Sequence, residues 1–195
     1  IEESSELHLE AVSLALEYID SGHAHCLGEV GRPHYPVEEE IWERANDLLL
    51  EILSMASSSR TSVQLHVEEK DEKTYSELSK LCISSGISSE RAIRHFAPPN
   101  VSADFTHGLS ATVNVGKGSI ETIVETAREA ASPWGMETDF LDDKRRPGAV
   151  LGPKTVPKRT QQLCSSLLSE GWSENEVESL LTKVHSEWPE SLYGL

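Results

Sequence analysis

The sequence predicts an α/β protein assembled from parallel β/α units, and three observations predict it. Short runs rich in Val, Ile, Leu and aromatic residues recur five times between turn residues, and stretches with apolar residues at helical spacing separate most of them. Strands regularly interrupted by helices are joined by crossovers rather than hairpins, so neighbouring strands run parallel. The composition permits such a fold as a single domain over residues 1–195. With 37% hydrophobic and 26% charged residues, 12 glycines and 9 prolines, it is that of a globular chain long enough to bury a core.

In order, residues 3–20 place Leu7, Val12, Leu16 and Ile19 at helical spacing, and Ser21-Gly22 ends that helix. A strand is predicted over 23–30, running into the turn chemistry of Gly31-Arg32-Pro33. Pro36 and the acidic Glu38, Glu39 and Glu40 suit a helix start. Its core face is Ile41, Ala45, Leu48, Leu49 and Ile52, and its end falls near Ala56. Ser57 to Thr61 is expected to be a loop and 63–67 a compact strand. The unit repeats with a helix over 72–83 and a strand over 92–96 that Pro98-Pro99 stops. A fourth strand is predicted over 111–115. Ser119 is expected to cap the next helix, which turns Ile120, Ile123, Val124 and Ala127 inward. A fifth strand over 133–139, an irregular loop over 142–158 and two helices follow, the second helix opened by a capping box of Ser173 and Glu176.

Charge narrows the function. Against 33 Asp and Glu stand 17 Lys and Arg, a net charge of −16 that repels a polyphosphate unless a cation intervenes. Any nucleic-acid role therefore calls for metal. The 3 cysteines, Cys26, Cys82 and Cys164, are odd in number and lack a CxxC spacing, which fits neither a disulfide framework nor a thiolate zinc site and implies a reducing, cytoplasmic setting. No stretch approaches the ~18–20 uninterrupted apolar residues of a membrane span, so no membrane partner is expected. No secretory leader opens the sequence, and Ile1 in first position suggests a processed or partial chain.

Five strands with helices behind them could form an open doubly wound sheet or most of an eight-stranded barrel. The strand ends are more informative. In a β/α barrel reactive residues emerge where strands end, and polar residues interrupt the apolar runs there at Glu29, His66, His95 and Asp139, one from each of four strands. Carboxylates and imidazoles are ligands for a divalent cation such as Zn²⁺, Mn²⁺ or Mg²⁺. Taken singly, Glu29 could merely pair with Arg32, the histidines could be satisfied structural residues, and Asp139 could cap a turn. His23 and His25 share the predicted strand face with Glu29, but at ~3.3 Å per residue His25 lies about 13 Å from it, too far for one ion. Arg32, His34 and Lys154 lie on the loops nearest the expected mouth and suit a phosphate or carboxylate as substrate-binding groups.

Gly28-Glu29-Val30-Gly31, Leu65-His66-Val67-Glu68, Arg94-His95-Phe96 and Glu137-Thr138-Asp139 together resemble, in order and spacing, the strand-end motifs of the TatD-related metal-dependent hydrolases of the amidohydrolase superfamily. The longer strings over 28–36 and 146–157 are similar to the archaeal-type branch of that family. The resemblance runs from about Ala11 to the C-terminal Leu192-Tyr193-Gly194. It implies a (β/α)8, TIM-barrel-like fold of which this chain supplies about five of eight strands. Glu29 would then be a metal ligand, often bridging, on the fourth strand, His66 and His95 ligands on the fifth and sixth, and Asp139 ligand and catalytic proton acceptor on the eighth. The family's first strand carries a His-x-His pair, so the chain is expected to be the C-terminal part, lacking three units of a barrel that needs ~250 residues. The implied activity is hydrolysis by water activated on one or two divalent ions, with a phosphodiester as substrate, as in a TatD-like deoxyribonuclease. The substrate would be a nucleic acid or a small molecule. The alternative is a non-catalytic partial barrel that needs an N-terminal segment or a partner chain.

Overall fold

Among the described residues five short parallel strands form one sheet: β1 (Cys26–Gly31), β2 (Ser62–His66), β3 (Ala92–Ala97), β4 (Ser110–Asn114) and β5 (Trp134–Glu137). The computed structural model describes residues 2–68, 72–140 and 151–195. The strands lie side by side in sequence order, β1-β2-β3-β4-β5. A doubly wound sheet reverses its strand order at a switch point, whereas a barrel advances in one direction. The sequential order therefore decides for the barrel-type winding.

The helices α1 (Glu2–Asp20), α2 (Glu39–Ser59), α3 (Glu72–Ser85) and α5 (Ser119–Thr126) alternate with the strands, and the four-residue α4 (Ala103–Thr106), which the sequence reading did not anticipate, precedes β4. Two apolar cores back the sheet. Val12 and Leu16 of α1, Leu49, Ile52 and Leu53 of α2 and Leu78 of α3 pack with Val63 and Leu65 of β2. Ile120 and Ile123 of α5 pack with Val113, Trp134 and the C-terminal helices. β3 joins the two, contributing Ala92 to the first and Ala97 to the second.

Several boundaries move from their expected places. β1 begins at Cys26, so His23 and His25 precede the strand; His25 Nδ1 bonds the Tyr193 carbonyl at 3.1 Å and His23 Nδ1 meets Ser21 Oγ at 2.9 Å. α2 continues through Ser57–Ser59, with the Ser54 and Ser58 hydroxyls donating to carbonyls one turn back, and Arg60 at φ 54° closes it. Gly118 takes the N-cap position expected of Ser119, whose hydroxyl instead donates to the Gly116 carbonyl. α6 (Thr155–Ser169) begins inside the segment expected to be loop; the portion over 142–150 lies outside the described residues.

The capping box at Ser173 and Glu176 is present and opens α7 (Glu174–Thr182). That helix does not end the chain. It runs through a π-helical turn at Lys183–Glu187 into α8 (Trp188–Tyr193), whose first turn contains Pro189. A proline there removes a backbone donor and crowds the preceding turn, which a widened turn relieves. α8 then reaches the start of β2, where Ser62 Oγ donates to the Leu192 carbonyl and Gln64 Nε2 to Tyr193 Oη. These contacts cover the end of the sheet opposite His66.

Candidate metal centre

Glu29, His66 and His95 each offer a ligand atom, and these atoms lie within 4.8 Å of one another. All three lie in the C-terminal halves of their strands. His66 closes β2, whereas Glu29 and His95 stand on bulges. Leu27 pairs with Val63 and Val30 with Leu65, so three residue steps of β1 oppose two of β2. Likewise Arg94 and Ala97 of β3 face Ala111 and Val113 of β4. An extra residue breaks the two-residue alternation of a strand and re-aims the side chains beside it. At β1 it leaves Gly28 and Glu29 both exposed between buried Leu27 and Val30. At β3 Phe96, at φ 50°, supplies the irregularity and lets Ala97 join the helix-side core.

Glycine makes the close approach of β1 to β2 possible. A Cβ on Gly31 would lie 1.7 Å from the His66 carbonyl oxygen, and one on Gly28 would lie 2.9 Å from Gln64 Cβ. Glu29 stands between these two contacts. Its carboxylate accepts from His66 Nδ1 at 3.0 Å through Oε2 and faces His95 Nε2 at 3.5 Å through Oε1.

His95 is the buried member, its side chain 7% exposed against 40% for Glu29 and 43% for His66. Its Nδ1 donates to Glu137 Oε2 at 2.8 Å, and its Nε2 also faces Asp139 Oδ1 at 3.8 Å. The hydrogen bond to Glu137 holds the imidazole pKa above its ordinary value of 6.5; burial works against this, and the charges of Glu137, Glu29 and Asp139 reinforce it. Three carboxylates thus surround one imidazole, an arrangement that favours a cation. The donor set of two imidazoles and a carboxylate fits a divalent metal. Asp139, at φ 48° just beyond β5, is adjacent to the trio rather than inside it.

The expected substrate-binding residues separate. His34 is exposed, with its ring 4.8 Å from that of His66, and so belongs to the mouth of the site. Arg32 does not. Its guanidinium is buried, donating to Glu68, Glu77 and Asn46 and stacked 4.4 Å over Trp42. The pairing of Arg32 with Glu29 that the sequence also allowed is replaced by this network. Lys154 is exposed immediately before α6, and no contact joins it to the trio among the described residues.

The sequence reading named Asp139 and passed over Glu137. A two-residue alternation carries the signal, since positions 137 and 139 share one side of an extended strand. Thr112, whose hydroxyl donates to Glu137 Oε2, has no sequence signal at all.

Parallel β/α units wound in one direction, with carboxylate and imidazole side chains gathered toward the strand ends, define the class as a β/α barrel type with a group there able to hold a metal. The family model described as TatD related DNase matches residues 1–188, and the chain belongs to that family. It is 28% identical over 196 residues to an uncharacterized protein of Methanocaldococcus jannaschii; the alignment takes in 100% of this chain and 66% of that protein. The chain therefore spans about two thirds of that relative's length. No solved structure matches it.

Proposed function

We propose that the chain is the metal-binding part of a phosphodiesterase, a deoxyribonuclease in the manner of the family description. The observation that supports this reading is the trio Glu29, His66 and His95, whose ligand atoms lie within 4.8 Å of one another beside a further carboxylate, Asp139. Held there, a divalent ion supplies Lewis-acid charge for the scissile group and acidity for the attacking water. Two imidazoles with carboxylates favour Zn²⁺ or Mn²⁺ over Mg²⁺. Asp139, with its side chain one-third exposed, accepts the water proton as general base. His34, exposed beside His66, donates to a phosphoryl oxygen.

A net charge of −16 repels a long duplex, which favours a short or terminal phosphodiester approached through the metal. The free Cys26, Cys82 and Cys164 suit a reducing cytoplasm. Among the described residues no helix is long and apolar enough to cross a membrane.

A second reading, a partial barrel completed by another segment or chain, is favoured by the edges of the sheet. β1 and β5 each have one neighbour among the described residues, and unpaired edges invite pairing. One experiment separates the readings: metal content per chain by elemental analysis, beside Asp139→Ala and His66→Ala, followed by hydrolysis of bis(4-nitrophenyl) phosphate and a single-stranded oligonucleotide. Bound Zn or Mn that the variants lose, with turnover, supports the enzyme. Metal-free, inactive wild-type protein supports the partial barrel.

A further inference from the structure

Glu137 has no ligand atom in the trio, yet its carboxylate accepts three hydrogen bonds. His95 Nδ1 donates to Oε2 at 2.8 Å, Thr112 Oγ1 donates to the same oxygen, and the Phe96 amide donates to Oε1 at 3.2 Å. Its side chain is 14% exposed, so water supplies few of these bonds. The three donors come from two strands other than its own, and one is the amide of the residue at φ 50° on the β3 bulge.

We propose that Glu137 is a positioning residue for the metal centre, holding His95 in the tautomer with hydrogen on Nδ1 so that the Nε2 lone pair faces the cation site. An ionised carboxylate only accepts, so the ring nitrogen that meets it must carry the hydrogen. Nε2 is then left without one in the neutral ring, and this atom is the one directed at Glu29 Oε1 and Asp139 Oδ1. A carboxylate behind a ligating histidine fixes ring orientation and raises ligand basicity in metal sites generally. Thr112 and the Phe96 amide hold the carboxylate itself in place.

The inference rests on the metal centre proposed above. Its test uses the isosteric Glu137→Gln. A glutamine must turn an NH₂ toward either Phe96 N–H or Oε2's donors, His95 and Thr112, and so cannot satisfy all three partners. Nitrogen-15 spectra of the metal-free proteins, recorded at alkaline pH where the ring is neutral, report the tautomer of His95; chelator competition with Zn²⁺ reports affinity. The expected result is an Nδ1–H ring in wild type, a shift toward Nε2–H in Glu137→Gln, and a loss of about 10- to 100-fold in Zn²⁺ affinity.

If circular dichroism shows that Glu137→Gln does not fold, Thr112→Val, which removes one of the three donors, takes its place, with a smaller change expected in the same direction. Bound Zn²⁺ with unchanged tautomer and affinity in the folded variant overturns the role of Glu137 alone. Wild-type protein that binds no Zn²⁺ overturns the metal centre and this inference with it.

Discussion

Two charged clusters stand side by side on the same strand ends, and they are balanced differently. Around Arg32 the charges are matched: its guanidinium meets Glu68 and Glu77, Lys73 pairs with Glu77 at 3.7 Å, and Asn46 and Trp42 fill the remaining positions. Around His95 they are not: Glu29, Glu137 and Asp139 face the ring, and among the described residues no Lys or Arg ion-pairs with them. Arg32 lies three residues beyond Glu29, and Glu68 two beyond His66. Among the described residues the first cluster is complete, whereas the second keeps an acidic surplus able to hold a cation. A perturbed, uncompensated group at strand ends is where function is sought; a buried pair with every partner present is architecture.

The largest expected effect lies in the unbalanced cluster. Asp139→Asn should lower phosphodiester turnover by about 10²- to 10⁴-fold while leaving the melting temperature unchanged. A fall in melting temperature with turnover intact would place Asp139 with the structural cluster and erase the contrast.

Glu68→Ala should do the reverse. Removing one partner of a buried pair leaves Arg32 uncompensated, at a cost of about 3–5 kcal/mol in urea denaturation, with metal affinity retained. The same residue makes stability depend on pH. Burial pushes the Glu68 carboxyl up, but the Arg32 hydrogen bonds and charge outweigh it and hold the pKa below the ordinary 4.5. Its contribution is therefore complete above the unfolded value and is lost as pH falls through the lower folded value. Wild type should lose more stability than Glu68→Ala between neutral pH and that acid range.

Gly31 links the two clusters. A methyl group there would strike the His66 carbonyl oxygen and separate β1 from β2. Gly31→Ala should cost about 1–3 kcal/mol and weaken metal binding as well, since Glu29 and His66 lie on those two strands. The smallest effect is remote from both. Ser173→Ala removes the α7 capping box and should cost about 1 kcal/mol in thermal unfolding, with turnover and metal affinity unaltered.

Much of the fold is legible in the residues because its signals are local. Helical spacing at Leu48, Leu49 and Ile52 places the inward face of α2, although Ile41, expected on the same face, is exposed, and the box at Ser173 and Glu176 marks the start of α7. The expected end at Ala56 falls short because a serine run reads as loop, whereas the helix continues to Ser59 and is closed by Arg60 at φ 54°. The bulges at Glu29 and His95 are not legible, since an inserted residue is defined only against the strand it faces. Arg32 and His34 look alike on paper as polar loop residues, yet one is buried by Glu68 and Glu77 and the other stands exposed against His66.

The sequence by itself determined the alternation of helix and strand, the acidic balance and the candidates Glu29, His66, His95 and Asp139, because periodicity, composition and residue chemistry are properties of the chain alone. Tertiary structure alone decided that the strands advance in one direction, that three of those candidates meet within 4.8 Å, and that Glu137 stands behind His95. Those facts depend on which strands become neighbours and in what register, and residues 37 or 42 positions apart come within a hydrogen bond only after the sheet has formed.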